Sequence, residues 1–205
     1  MASRGGWWLV VWAVVYGVTH HLGLLPGGLG DAGGGTRRAD WLDLLVPFLV
    51  LGSALAALAA AGTDRRGWAA AVTGSVLYAQ GHGVHLAANS ISDARGDGPP
   101  THLWDEVVGH LLWYGGLALL VGVLARAFAV VGLRVGPLSS ALAVLTGATW
   151  ATNTLGADGL TIPGLAAAAA LSAYGWRMRN TAAGQLLMIA FVPSAVGLTI
   201  ALMAT

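Results

Sequence analysis

Seven apolar runs follow one another along this chain of 205 residues, separated by polar or glycine-rich connections. Most of them approach the roughly 20 residues that an α-helix needs to cross a bilayer. Backbone amides in lipid must be hydrogen-bonded within their own segment, so each run is predicted to be a helix. The predicted spans cover about residues 7–25, 41–61, 68–91, 103–131, 138–155, 160–176 and 183–203. The sequence therefore predicts an all-α, polytopic integral membrane protein with seven transmembrane helices in one domain, residues 1–205.

The amino-acid composition supports this class and excludes several others. Only 9% of the residues are charged, whereas soluble domains carry about 25%. The formal net charge of +1 gives no basic surface for nucleic acid. The chain has no cysteine, which excludes disulfides, thiolate metal sites and iron–sulfur clusters. It also has no lysine, which excludes a retinal Schiff base.

The arginines predict the orientation of the chain in the membrane. The N-terminus and the second, fourth and sixth connections share one side, and that side holds seven of the ten arginines. The positive-inside rule then places the N-terminus in the cytoplasm and the C-terminus outside. We expect the protein in a plasma membrane of bacterial type. The first external connection, residues 26–40, is rich in glycine and is predicted to be an irregular loop that can fold over a neighbouring opening.

The third predicted span carries a polar stripe. Ser75, Tyr78, His82, His85 and Asn89 follow at alternating spacings of three and four residues, so they share one face of a helix. An unpartnered polar group in hydrocarbon costs several kcal/mol, so this face must contact protein or a wet cavity. Ionisable groups within a membrane are expensive and usually functional. The stripe is therefore the predicted centre of a functional site.

A second polar group opens the fourth predicted span. Glu106 and His110 are one turn apart on the same face, and Asp105 points to a neighbouring side. The connection between the third and fourth spans is short, which favours antiparallel neighbours. We therefore expect His82 and His85 to face Glu106 and His110.

The remaining histidines support the same location. His20 and His21 lie at the outer end of the first span, Asp43 lies at the outer start of the second, and His102 is predicted in a solvated loop. In the predicted orientation, all six histidines and every acidic residue except Asp64 belong to the outer half. The sequence thus predicts one polar site that opens to the external side.

These residue types have the chemistry of a metal site. Imidazole and carboxylate ligands suit zinc and, within helix bundles, iron. The candidate ligands are His82, His85, His110, Glu106, His20 and His21. Candidate acceptors for their imidazole N–H groups are Asn89, Asp43 and Asp105. The candidate catalytic residues are Glu106, Asp105 and Asn89.

The predicted function is that of a membrane metalloenzyme that hydrolyses or oxidises a lipid-like or small amphipathic substrate. In a hydrolase the metal lowers the pKa of bound water, and Glu106 or Asp105 serves as the base. In an oxidase, iron activates oxygen. The residues leave three alternatives open. The first is a transporter that carries a metal ion or is coupled to protons. The second is a b-type cytochrome whose haem has axial histidines from the first and third spans, and the third is a metal-free cyclase in which Asp or Glu protonates an isoprenoid.

Several of these residues also have a structural interpretation. A single histidine near the end of a span is more often hydrogen-bonded at the interface than a ligand, and Asp40 and Asp43 fit solvated helix ends. Trp113 fits core packing better than pocket lining. Gly81 and Gly83 flank His82 and predict the close approach of another helix or a ligand.

Overall fold

The computed structural model describes residues 4–22, 25–157 and 159–204, and most of them are helical. The helices are α1 (Arg4–Thr19), α2 (Arg38–Asp43), α3 (Val46–Ala60), α4 (Arg65–Arg95), α5 (Pro99–His102), α6 (His110–Phe128), α7 (Pro137–Gly156), α8 (Thr161–Arg177) and α9 (Ala182–Ala204). A π-helical segment, Leu103–Gly109, joins α5 to α6. The all-α prediction is confirmed.

Within the described residues, three helices are long and apolar enough to cross a membrane. They are Arg38–Ala60, which combines α2 and α3, Pro99–Phe128, which runs from α5 through α6, and Ala182–Ala204, which is α9. Gly5–Thr19 is a shorter apolar helix. These helices are consistent with an integral membrane protein.

The ends of successive helices meet at two opposite ends of the bundle. A Cβ atom on Gly5, at the start of α1, would lie 3.3 Å from the Phe128 ring at the end of α6 and 3.6 Å from Ala60 at the end of α3. Beside them, Arg126 donates a hydrogen bond of 2.5 Å to Asp64. The hydrogen bond from the Gly67 amide lowers the pKa of Asp64 below its usual value, and Arg126 contributes further.

We call this end of the bundle the arginine end; it holds Arg65, Arg66, Arg126, Arg134 and Arg177. The opposite end, where α1, α4 and α7 finish and where α2 and the π-helical segment begin, is the histidine end. It holds His20, His21, His85 and His110.

Glycines allow α4 and α6 to pack with their backbones in contact. A Cβ atom on Gly81 of α4 would overlap the backbone nitrogen of Trp113, and one on Gly116 of α6 would overlap that of Tyr78. The two helices are neighbours, as the short connection predicts. The close approach expected at Gly81 is present, whereas Gly83 is exposed and has open space around it.

The glycine-rich connection is more ordered than the sequence predicts. It contains a 3-10 turn, Pro26–Leu29, and an antiparallel pair of short strands, β1 (Asp31–Gly33) and β2 (Thr36–Arg37). Gly33, Gly34 and Gly35 have φ angles of 91°, 66° and 79°, a region that L side chains rarely enter. These glycines permit the tight return between the strands, so the prediction of an irregular loop was wrong here.

The end of the first predicted span and the start of the second differ from the helix ends in the structure. α1 ends at Thr19 instead of residue 25, and residues 23 and 24 lie outside the described residues. The second predicted span begins early, at Arg38, because Asp40 accepts a hydrogen bond of 2.8 Å from the Arg37 amide and caps α2. The helix is then interrupted between Asp43 and Val46.

The helix α5 changes the surroundings of His102. Pro99 occupies the first turn of α5, where its fixed φ favours helix initiation. His102 therefore ends a helical turn instead of lying in a loop, although its side chain remains 42% exposed, 3.7 Å from Asp97.

Candidate functional site

A cavity of about 290 Å³ lies at the histidine end. We call it the polar cavity because histidine and carboxylate side chains belong to its lining. Helices α1, α2, α4, α6 and α7 and the π-helical segment all contribute to its wall. The predicted site residues in its lining are His20, His21, Asp43, His85, Asn89, Glu106 and His110. Its volume is close to the lower limit of about 300 Å³ for small-molecule pockets. The structure thus brings residues from five predicted spans to one place.

His85 and His110 form the closest pair of imidazoles in this cavity, with ring centroids 4.5 Å apart. The Nδ1 atom of His85 lies 2.5 Å from Oδ1 of Asp105, which is buried behind the cavity wall. Nδ1 of His110 donates a hydrogen bond of 3.1 Å to the backbone carbonyl of Glu106. When Nδ1 carries the proton of a neutral imidazole, Nε2 has a lone pair available. His110 can therefore offer Nε2 to a ligand, and His85 can do so when its Nδ1 turns to donate to Asp105.

The π-helical segment explains how Asp105, Glu106 and His110 reach the site together. The wider turn of a π-helix changes the direction of successive side chains, and such segments are frequent at functional sites. The backbone amide of His110 bonds the carbonyl of Val107, while the His110 ring bonds the carbonyl of Glu106. Asp105 is buried and Glu106 is half-buried in the cavity wall.

The indole of Trp113 occupies the centre of the histidine cluster. Its ring centroid lies 4.7 Å from that of His82, 5.2 Å from His20, 5.3 Å from His85 and 5.7 Å from His110. The stripe and the fourth span do face each other, but the imidazoles converge on this indole. Trp113 therefore contacts all four imidazoles, and it lines the cavity as well as packing the core.

The other histidines are engaged by protein groups. His20 donates from Nδ1 to the carbonyl of Tyr16 at 3.0 Å, and its Nε2 accepts from the Tyr78 hydroxyl at 2.9 Å. His82 is almost fully buried and donates from Nε2 to the carbonyl of Asp43 at 3.1 Å. Nε2 of His21 lies 3.3 Å from the Thr149 hydroxyl. These contacts favour roles in positioning the cavity wall.

Arg37 links the β1–β2 connection to the wall of the polar cavity. Its guanidinium lies 2.9 Å from Asp40 of α2 and 2.9 Å from Asp93 of α4. The hydrogen bond to Asp40 raises the pKa of Arg37 above its ordinary value, so its guanidinium stays protonated. Asp40 is buried in this bridge and lines the cavity, which corrects its interpretation as a solvated helix-end residue.

The charges around the cavity favour a cation. Asp40, Asp43 and Glu106 line it, and Arg37 is the cationic side chain in the same lining. Carboxylates therefore outnumber the guanidinium, and Asp105 adds a further carboxylate behind His85. At the same time, no group of three or more His, Asp or Glu side chains in residues 4–22, 25–157 and 159–204 already has the geometry to hold a metal ion.

Three contacts in the site could not be predicted from the sequence. Arg37 reaches the cavity lining only because the connection folds back, and Tyr78 and Thr149 contact His20 and His21, which follow the end of α1. Tyr78 belongs to the predicted stripe, but nothing in its spacing indicates His20 as its partner. The position of Tyr78 on the polar stripe was the one local indication that its hydroxyl has a polar partner.

Comparison with known proteins gives no assignment for this chain. No protein-family model, no curated protein sequence and no solved structure matches it. Function must therefore be argued from the chemistry of the site.

Proposed function

We propose that the polar cavity is the active site of a membrane-embedded metalloenzyme that acts on a lipid-like or small amphipathic substrate. The observation that carries this proposal is the His85–His110 pair. The two rings lie 4.5 Å apart, each with Nδ1 against an acceptor, in a cavity where carboxylates outnumber the cation. Histidine ligands of metals usually donate their second ring nitrogen to a carboxylate or a backbone carbonyl in this way.

His85 and His110 are the proposed imidazole ligands, and Glu106 or Asp43 is the proposed third ligand. Both carboxylates belong to the same cavity lining, and either one would complete a set of two histidines and one carboxylate after its side chain turns away from its present contact, which is His110 Nδ1 for Glu106 and His82 Nε2 for Asp43. That set is found in catalytic zinc sites and in non-haem iron sites. Asp105, in contact with His85, orients the ring and makes it a stronger ligand.

Hydrolysis is the reaction that we favour. A bound zinc ion lowers the pKa of its water to about 7 and polarises a carbonyl or phosphoryl oxygen. Whichever of Glu106 and Asp43 is not a ligand then lies in the cavity to accept the proton of that water. Oxidation with iron uses the same ligand set, and the identity of the bound metal distinguishes the two reactions.

Metal-free acid catalysis is the second candidate, and a specific observation favours it. The histidines surround the Trp113 indole, which can stabilise a cationic intermediate through its ring face. Glu106, which lines the cavity, is then the proton donor to an isoprenoid-like substrate, whereas Asp105 is buried behind the wall.

The transporter and cytochrome alternatives have less support. A transport path needs polar groups on both sides of the site, whereas the cavity at the arginine end is lined mainly by Leu, Val, Ala and Phe. A haem needs two accessible axial imidazoles, and both nitrogens of His20 are engaged by Tyr16 and Tyr78.

Elemental analysis of purified wild-type protein, together with its visible spectrum, tests the proposal. We expect stoichiometric zinc or iron in protein prepared without chelators and no Soret band. Absence of metal after reconstitution with zinc and with ferrous iron contradicts the proposal and favours the metal-free mechanism. An intense Soret band contradicts it in favour of the cytochrome.

We further propose that the chain crosses the membrane seven times with the arginine end in the cytoplasm. The seven arginines against three support this orientation. Reporter fusions after Thr63 and after Asp97 are expected to report opposite sides, with Asp97 external. A cytoplasmic signal at Asp97 contradicts the orientation and places the polar cavity on the inner side.

A further inference from the structure

A second cavity, of about 390 Å³, lies at the arginine end between α1, α6, α7 and α9, and we call it the apolar cavity. Apolar side chains make up most of its wall, among them Leu124, Leu142, Leu187 and Phe191. It is separate from the polar cavity. The almost fully buried Tyr16 lies between them, stacked 5.7 Å from Trp12 of the apolar cavity and 4.4 Å from His20 of the polar one.

Arg134 brings a positive charge to the rim of the apolar cavity. It lines the cavity and is exposed. Asp64 is the one acidic residue that the described chain places at the arginine end, and it is already paired with Arg126. Arg134 therefore has no carboxylate at this end to pair with, so its charge complements an anionic group from outside the protein.

We propose that the apolar cavity binds an anionic phospholipid. One acyl chain fills the space between α1, α6, α7 and α9, and the phosphate lies at Arg134. The charge at the rim and the apolar wall beneath it match a phospholipid, whose charged headgroup precedes its acyl chains into the bilayer. This binding requires a membrane location but is independent of any metal in the polar cavity.

Native mass spectrometry of the full chain in detergent tests this site. The probes are dioleoyl phosphatidylglycerol, dioleoyl phosphatidylcholine and free oleate, each added to delipidated protein. We expect phosphatidylglycerol to be retained up to about fivefold more strongly than phosphatidylcholine, because the choline ammonium offsets the phosphate charge beside the exposed Arg134 and phosphatidylglycerol has no such cation. Oleate, which lacks the ester and the phosphodiester, is expected to bind weakly.

Two pairs of variants assign the binding to the cavity. Arg134→Gln is expected to abolish the preference for phosphatidylglycerol, whereas Arg65→Gln, at an exposed arginine of the same end, is expected to retain it. Ala143→Phe fills the cavity and should reduce all lipid retention, whereas Ala141→Phe, on the exposed side of α7, should not.

Equal retention of the two phospholipids by the wild-type protein overturns the proposal. So does an unchanged lipid preference in Arg134→Gln, or retention of oleate as strong as that of phosphatidylglycerol. Because Arg134 is exposed, its variant is expected to fold, and the test holds even if Ala143→Phe does not.

Discussion

Gly81→Ala is expected to separate α4 from α6 and to disrupt the polar cavity. The added methyl group would overlap the backbone nitrogen of Trp113, and the carbonyl of Gly109 lies 2.5 Å from the same point. Neither obstacle is a flexible side chain, so the helices themselves must move. Overpacking of this kind costs about 1–3 kcal/mol, and a shift of α6 also displaces His110 from His85. We expect a lower thermal midpoint in detergent and reduced metal binding.

Gly83→Ala is the matched control for this substitution. Gly83 lies two residues further along α4 and is exposed. A Cβ atom added to Gly83 would have no atom of another described helix within 4 Å. Alanine is the better helix former by about 1 kcal/mol, so this variant should be at least as stable as the wild type. Equal thermal midpoints for the two variants would mean that the backbone contact between α4 and α6 does not form.

His85→Ala and His110→Ala are expected to remove the bound metal and all activity that depends on it. Loss of a residue that only orients a ligand weakens metal binding by about 10–100-fold, so loss of the ligand itself should exceed this range. Asp105→Asn changes the group that lies against His85 Nδ1. We expect this variant to weaken metal binding by about 10–100-fold. The measurement is the metal affinity of each purified variant, determined by competition with a chelator.

His102→Ala is the control because its side chain is 42% exposed at the end of α5, outside the lining of the polar cavity. We expect its metal affinity to equal that of the wild type. His82→Ala should lower stability more than metal affinity, since His82 bonds the carbonyl of Asp43 through Nε2. If His102→Ala loses metal as completely as His85→Ala, the assignment of the ligands to the cavity is wrong.

The grouping of polar residues around the polar cavity could be predicted because it depends on local periodicity. The spacing of three and four residues from Ser75 to Asn89 is enough to place the stripe on one helix face. The cost of ionisable groups in lipid then directs that face inward. The short connection before α6 brings Glu106 and His110 to the same level. These inferences use only helix geometry and solvation, and the polar cavity contains His85, Asn89, Glu106 and His110 as a result.

The arrangement within the site depends on contacts that are distant in sequence. Trp113 fits the core packing of any span, and the close glycine contacts at Gly81 and Gly116, which draw the α6 backbone towards α4, bring its ring among the histidines. Arg37 reaches the cavity lining because the glycines at 33–35 reverse the direction of the connection. No local spacing encodes either contact. The sequence therefore predicted that the imidazoles face one shared ligand, whereas in the structure they surround the indole of Trp113.

Helix irregularities were also missed, since hydropathy alone does not report them. The π-helical segment at Leu103–Gly109 and the interruption between Asp43 and Val46 lie within apolar sequence that is compatible with a regular helix. Both irregularities occur beside the polar cavity, and the first determines the directions of Asp105 and Glu106. Their position next to the candidate site agrees with the frequent occurrence of π turns at functional sites.

X-ray absorption spectroscopy at the edge of the bound metal tests the central claim most directly, because it reports the atoms that contact the ion. For the wild-type protein we predict two imidazole nitrogens at about 2.0–2.1 Å, together with carboxylate or water oxygens. The imidazole contribution should fall by half in any metal that His85→Ala or His110→Ala retains, and it should be unchanged in His102→Ala. A spectrum without imidazole scattering, or one that both cavity variants leave unchanged, contradicts a metal centre built by His85 and His110.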